Sequence, residues 1–452
     1  MNISRHTKEI LKLGYPIMLG QMGVILVGFI DNIMVGRYGT SELAAASFVN
    51  GFINIAFVFA MGFSYGLTPL VSGSFATGNG QLRSLLKSSI FLNTIVGILI
   101  TLVMWICLVN IHWFGQPDEL LGLIRPYYTI HLVSIIPLII FYGYKQFVDG
   151  VGLTKIGMTA IILSNIINIV FNYLLIFGKW GFPELGLLGA GLATFISRLV
   201  MLAILIYEVH GTTRFKSIFE TNHSTKGAID RGLLKRLSGI GMPSALQLGM
   251  ETASFSIAVI MVGWIGTLEL ATHQIVNTVS TLGFLMFYGM SAAVMIRVGH
   301  FYELKKSDEI RGVVKSGFKI QISMALTLIV LLLTFRTYIP HIFTTDESVI
   351  KLASIVILPL AAYQVTDMLQ ILFSNALRGM QDVKFTAWAA CLCYLVLTMS
   401  AAYLFGFTFE WGIIGIWCAF FVGFTSLALL LISRYFRVLR QLDKDIKSQG
   451  IK

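Results

Sequence analysis

Three of the 22 acidic residues, Asp31, Glu251 and Asp367, lie well inside long apolar stretches. A charge at the centre of a membrane helix costs on the order of 2.5–3.5 kcal/mol, so each of these side chains must face a cavity or a partner. Burial disfavours the ionised form of a carboxyl, which makes the gain or loss of H⁺ or Na⁺ there switchable. Around Asp367, Tyr363 stands at i−4 and Gln370 at i+3, so the three share one helical face. A carboxylate with a phenol oxygen one turn away supplies oxygen donors of the kind a hard cation such as Na⁺ takes, which makes Tyr363 and Asp367 a candidate cation site. Gln247 precedes Glu251 by one turn as a supporting polar group.

Asn165, Asn168 and Asn172 recur at helical spacing, with Asn168 and Asn172 at i,i+4. Asparagines in membrane helices also serve as interhelical hydrogen-bonding groups, so spacing alone leaves both roles open. Arg198 falls near the middle of its own apolar stretch. It is the one basic residue read as available in the membrane against three acids, and its expected partner is an acidic residue or helix-end carbonyls of its own half. His273 follows an exposed turn, where a structural hydrogen bond is expected. The 18 methionines and the aromatic residues are mostly packing, with a few available to line a soft cavity.

The elements that position these residues follow from composition. Of 452 residues, 56% are hydrophobic and 12% charged, with mean hydropathy +0.80; soluble domains carry about twice that charge fraction. Apolar spans at roughly 13–36, 46–74, 88–110, 127–148, 157–178, 187–209, 239–264, 272–298, 316–336, 352–376, 385–406 and 412–433 predict an all-α polytopic membrane protein with twelve transmembrane helices. The 33 Lys and Arg then divide into 27 on one face, five on the other (Arg37, Arg125, Lys179, Arg336, Lys351), and Arg198. That asymmetry predicts both termini in the cytoplasm. It also explains the net charge of +11 without nucleic acid. The first span is too long for a signal peptide and carries Gln21 and Asp31, so it reads as a retained helix. Cys107, Cys391, Cys393 and Cys418 all fall in apolar spans and read as packing residues.

The chain also repeats itself. A shift of 227 residues sets Pro16 on Pro243 and the Gly36–Ala44 stretch on Gly263–Ala271, with a shared GxxGTxELA pattern. It also sets Asn50 on Asn277, Gly62 on Gly289 and Ser64 on Ser291. After a small insertion, Gly150 and Lys155 meet Gly379 and Lys384, and Gly186-Leu187-Leu188-Gly189 meets Gly412-Ile413-Ile414-Gly415. Six helices per half predict parallel repeats, two six-helix lobes related by a pseudo-two-fold axis along the membrane normal. The expected organisation is an N-terminal lobe at 1–209, a basic cytoplasmic linker at 210–236 (Arg214, Lys216, Lys226, Arg231, Lys235, Arg236) able to hold an amphipathic helix, a C-terminal lobe at 237–436 and a tail at 437–452. The acids are not duplicated. Position 31 maps to Ala258, Glu251 to Val24 and Asp367 to Leu138, so the scaffold's symmetry does not account for them.

Over essentially its whole length the chain resembles the multidrug and toxic compound extrusion (MATE) family, and within it the NorM-type branch. The resemblance rests on the two lobes, the GxxGTxELA turn in both halves, Gly241-Met242-Pro243 with Glu251, and the Tyr363/Asp367 pair. It implies an N-lobe cation or proton site of Asp31, Asn168, Asn172 and Thr194, and a C-lobe site of Glu251, Tyr363 and Asp367. Position 172 is Asn where some branches carry Asp, which lowers the negative charge of the N-lobe site. The resemblance further implies a secondary active antiporter. Inward Na⁺ or H⁺ would drive export of amphiphilic, often cationic compounds by alternating access. It implies a monomer in the bacterial inner membrane, with no cofactor beyond the coupling ion, and no enzyme activity. A lipid-linked oligosaccharide flippase is the alternative, though a pyrophosphate cargo would favour a basic cavity. An intramembrane aspartyl protease fits poorly, because Val365-Thr366-Asp367-Met368 lacks a Gly-x-Gly-Asp setting.

Overall fold

Polar caps and single glycines set where the helices begin and end. In the computed structural model, which describes residues 4–115, 117–223 and 227–448, all regular structure is helical. Lys226 of the expected linker and residues 449–452 of the expected tail lie outside the described residues. Twelve helices among the described residues are long and apolar enough to cross a membrane: α1 (Arg5–Tyr38), α2 (Thr40–Thr77), α3 (Leu82–Val109), α4 (Asp118–Gly150), α5 (Thr154–Phe177), α6 (Leu187–Gly211), α7 (Arg231–Ile265), α8 (Thr267–Glu303), α9 (Ser307–Thr334), α10 (Glu347–Gly379), α11 (Lys384–Thr408) and α12 (Gly412–Ser448). Asp230 Oδ1 accepts from the Leu233 amide at 2.8 Å at the start of α7. Asp346 does the same for Ser348 at 2.8 Å at the start of α10.

The repeated motifs have local structural explanations. In GxxGTxELA the second glycine, Gly39 or Gly266, is the single residue between two helices, and the glutamate carboxylate folds back over it. This is the geometry of an N3 glutamate returning to the N-cap, and it makes the motif a corner. In the second motif, Gly186 and Gly412 take left-handed φ values of 54° and 56°. A Cβ on Gly189 or Gly415 would lie 2.5 Å from a backbone atom of α5 or α11. Glycine is required there for close helix packing.

The chain divides into two compact units whose limits fall inside helices: Leu19–Ala245, and Met1–Met18 together with Leu246–Lys452. The first part of α1 therefore packs with the second unit, and the first part of α7 with the first. Both packings use repeat-related glycines. A Cβ on Gly14 would sit 3.2 Å from the Gly289 carbonyl, and one on Gly241 would sit 2.6 Å from the Phe63 carbonyl. Within each unit the fourth helix packs against the second and the sixth, and the fifth packs on the sixth. The expected linker contains a short helix, Thr213–Thr221, whose Phe215 and Phe219 are buried beside Phe147 while Arg214 and Lys216 are exposed.

Several helices overrun the predicted apolar spans by a turn or more, and cations that the sequence reading counted with the basic face are buried at helix ends. Lys145 is buried and bonds the buried Asp149 at 2.6 Å, one turn on in α4. Arg378 is buried in the last turn of α10. Arg198 is thus not the only cation held among the helices, because helix ends packed on protein shield charge as their middles do.

Candidate functional site

Each unit gathers one polar cluster. In the first, α1 supplies Asp31, α5 supplies Asn168 and Asn172, and α6 supplies Thr194 and Arg198. The Asn172 amide donates to Asp31 and to Asn168 Oδ1, the latter at 3.1 Å, and the Asn168 amide donates to Thr194 Oγ1 at 3.4 Å. The i,i+4 asparagine pair thus forms a relay from the carboxylate to the threonine. Asn172 Oδ1 is buried without a hydrogen-bond partner and remains an open oxygen donor.

Arg198 donates to Ser134 of α4 rather than to helix-end carbonyls, and it acts on Asp31 through charge. Tyr127 and His131 complete the wall, with ring centroids 4.5 Å apart. The Tyr127 hydroxyl reaches Asn50 Oδ1 at 3.4 Å, while both ring nitrogens of the buried His131 lack hydrogen-bond partners.

In the second unit, α7 brings Glu251 to Asp367 and Gln370 of α10, and all three are buried. One Gln370 amide nitrogen donates to Asp367 Oδ1 at 3.0 Å and to Glu251 Oε1 at 3.4 Å. Tyr394 of α11 donates to Gln370 Oε1 at 3.0 Å, which fixes which end of the amide faces the carboxylates. Tyr394 sits in a π-helical stretch, Cys391–Thr398, an irregularity often found at functional sites.

Two predicted residues find other partners. The Tyr363 hydroxyl pairs with Ser280 of α8. Gln247 donates to Ser374 Oγ at 2.6 Å and accepts from Arg378 at 3.0 Å. Arg378 also donates to Asn375 Oδ1 at 3.1 Å and acts on Glu251 only through charge. Among the described residues, no ion pair within 4.0 Å involves Glu251 or Asp367. The clusters consequently differ in charge. In each cluster a guanidinium acts through charge, Arg198 on Asp31 and Arg378 on Glu251, but the first holds one carboxylate and the second two, with neutral hydrogen-bond donors from Gln370 and, for Glu251, Tyr394.

Sequence reasoning placed Gln370 on the right face but did not single out Ser134, Tyr127, His131, Ser280, Arg378 or Tyr394. Tyr394 carried a usable signal, since the offset joining Lys155 to Lys384 sets it on Asn165 of the asparagine run. His273 is buried against Trp417 with neither ring nitrogen hydrogen-bonded, so the expected structural hydrogen bond is not made. Of the cysteines, Cys391 is exposed, Cys393 is buried, and all four are free thiols.

Twelve apolar helices in two repeat-related units, with polar clusters held between helices, define a multi-pass membrane protein of the transporter class rather than an enzyme. The chain belongs to the MatE family, whose pattern matches residues 16–174 and 243–404, one stretch in each half. Its fold is similar to that of a multidrug resistance MATE family transporter of the MOP superfamily in an outward-facing conformation (20% identity over 98% of each chain, TM-score 0.86). It is similar also to a mutant of the Vibrio cholerae MATE transporter VcmN (18% identity, 97% of this chain and 98% of that one, TM-score 0.84). The eukaryotic MATE transporter AtDTX14 shares the fold as well (18% identity, 98% and 99%, TM-score 0.86).

Proposed function

We propose that this protein is a secondary active multidrug efflux antiporter. It exports amphiphilic, often cationic compounds in exchange for inward Na⁺ or H⁺, with the coupling ion held at Glu251 and Asp367. The observation that carries the reading is a pair of buried carboxylates, Glu251 and Asp367, that share the neutral Gln370 amide and face one guanidinium, Arg378, through charge. Neutral donors and one cation do not balance two negative charges taken out of water, each of which costs several kcal/mol. A bound cation or proton supplies the missing balance, and its donor set of carboxylate oxygens suits Na⁺.

Antiport follows if the cation and the substrate favour opposite conformers. Each then shifts the equilibrium only by its differential affinity for the two states. The two carboxylates titrate as a pair, so their proton uptake belongs to the site and not to either residue. Asp31 with Asn168, Asn172 and Thr194 is a second polar station, a single carboxylate on which Arg198 acts through charge. The excess of basic residues at one end of the helices supports a cell-membrane protein with both termini in the cytoplasm. Acidic rather than basic clusters disfavour a pyrophosphate-linked cargo.

The test is efflux of a fluorescent organic cation from proteoliposomes under an imposed Na⁺ gradient, and separately under a proton gradient. Either gradient alone should drive export in the wild type and fail in Asp367→Asn. Equal export with no gradient would overturn the antiport reading.

A further inference from the structure

The first unit contains a cavity that the transport mechanism does not use. About 430 Å³ opens where α3 begins, α6 ends and the linker helix Thr213–Thr221 starts. Its charged lining is all basic or titratable to basic: Arg83 and Lys87 from α3, His210 from α6 and Lys216 from the linker helix. Glu208 lines a neighbouring hollow with Arg214 and not this one. Gathering like charges around an empty space costs free energy unless an anion balances them.

The cavity is built rather than incidental. Arg83 lies over the Phe219 ring with its guanidinium carbon 4.5 Å from the centroid, which holds the linker helix against α3. Lys87 donates to the Gly227 carbonyl at 3.0 Å, and His210 Nε2 sits 3.0 Å from the Tyr144 hydroxyl. Thr212 and Thr213 line the same space at the start of the linker helix. That helix has no side-chain cap, because the Thr212 hydroxyl donates instead to the Glu208 carbonyl at 2.7 Å. Its first amides are therefore available to an anion, and the helix dipole favours one there.

We propose that this cavity is a binding site for a phosphate group, held by Arg83, Lys87, Lys216 and the amino end of the linker helix. Its level, at the ends of two membrane helices, makes the headgroup of an anionic phospholipid the favoured source. Basic pockets between membrane helices suit such headgroups. A bound headgroup would tether the linker helix to α3 and α6. A soluble phosphate compound shares the same chemistry.

The test uses the full chain purified in detergent and native mass spectrometry with phosphatidylglycerol, phosphatidylcholine and inorganic phosphate. Lys216→Glu is exposed and leaves the buried phenylalanines of its helix in place. Lys235→Glu, equally exposed but on α7 and outside the cavity, is the charge-matched control. The expected result is preferential retention of phosphatidylglycerol, weakened about tenfold by Lys216→Glu and unchanged by Lys235→Glu. Displacement of that lipid by inorganic phosphate, with the same pattern among the variants, supports the site and assigns it to a soluble anion. Equal retention of both lipids by the wild type, or equal loss in both variants, overturns the proposal. Because this readout is binding and not export, it stands apart from any test of antiport.

Discussion

The two units share a helix plan, yet their polar clusters differ in charge. In the first, Arg198 acts through charge on a single carboxylate, Asp31, and the asparagine relay passes hydrogen bonds from Asp31 to Thr194. In the second, two carboxylates, Glu251 and Asp367, share the Gln370 amide, Tyr394 adds a hydrogen bond to Glu251, and Arg378 acts on Glu251 through charge. The repeat sharpens the contrast. The offset that joins Gly150 to Gly379 sets Ser134 on Tyr363, and the one that joins Gly186 to Gly412 sets Arg198 on Phe424. Where the first unit makes an Arg198–Ser134 hydrogen bond, the second packs Tyr363 edge-on against Phe424 with ring centroids 5.3 Å apart. One duplicated framework thus carries a one-carboxylate site and a two-carboxylate site, and the second, with its excess negative charge uncompensated, is the proposed ion site.

Removing a charge from the uncompensated site should have the largest effect. Asp367→Asn is expected to reduce gradient-driven export to background in proteoliposomes while the protein remains inserted and monodisperse. Asp31→Asn should reduce export by only about tenfold, within the usual range of coupling energies. Because the partners are coupled, Asp31→Asn/Arg198→Gln should recover part of the thermal stability lost by Arg198→Gln alone. Additive losses in that cycle would show that Arg198 does not serve Asp31.

A smaller effect is expected of Gln370→Ala. Removing the shared donor leaves the carboxylates more dependent on the cation, so half-saturating Na⁺ should fall about threefold while maximal export also falls. Loss of export with unchanged Na⁺ dependence would make Gln370 a packing residue only. Tyr394→Phe should have the mildest effect, about a twofold change of the same kind, since it frees the Gln370 amide to rotate without removing it.

Much of this contrast was legible in the sequence. Apolar length gave the twelve helices, and the 227-residue offset gave the two halves. The i,i+3 spacing of Asp367 and Gln370 and the i,i+4 spacing of Asn168 and Asn172 placed each pair on one face, because both relations lie within a single helix. Contacts between helices were not readable in the same way. Nothing local joins Tyr394 to Gln370, or Tyr363 to Ser280, since helix rotation and a π-helical stretch decide them. Arg378 fell beyond its predicted span and Lys145 was counted with the basic face because hydropathy marks where a span turns polar, whereas burial depends on what packs around the helix end. The GxxGTxELA turn was the strongest sign of duplication, yet it proved to be a helix corner and carries none of the site.

The central claim is that the coupling ion is held in the second unit. Equilibrium binding of radiolabelled sodium to purified wild type, Asp31→Asn and Asp367→Asn tests it most directly. The account predicts saturable binding in the wild type, its retention in Asp31→Asn and its loss in Asp367→Asn. Binding that survives in Asp367→Asn and disappears in Asp31→Asn would contradict it.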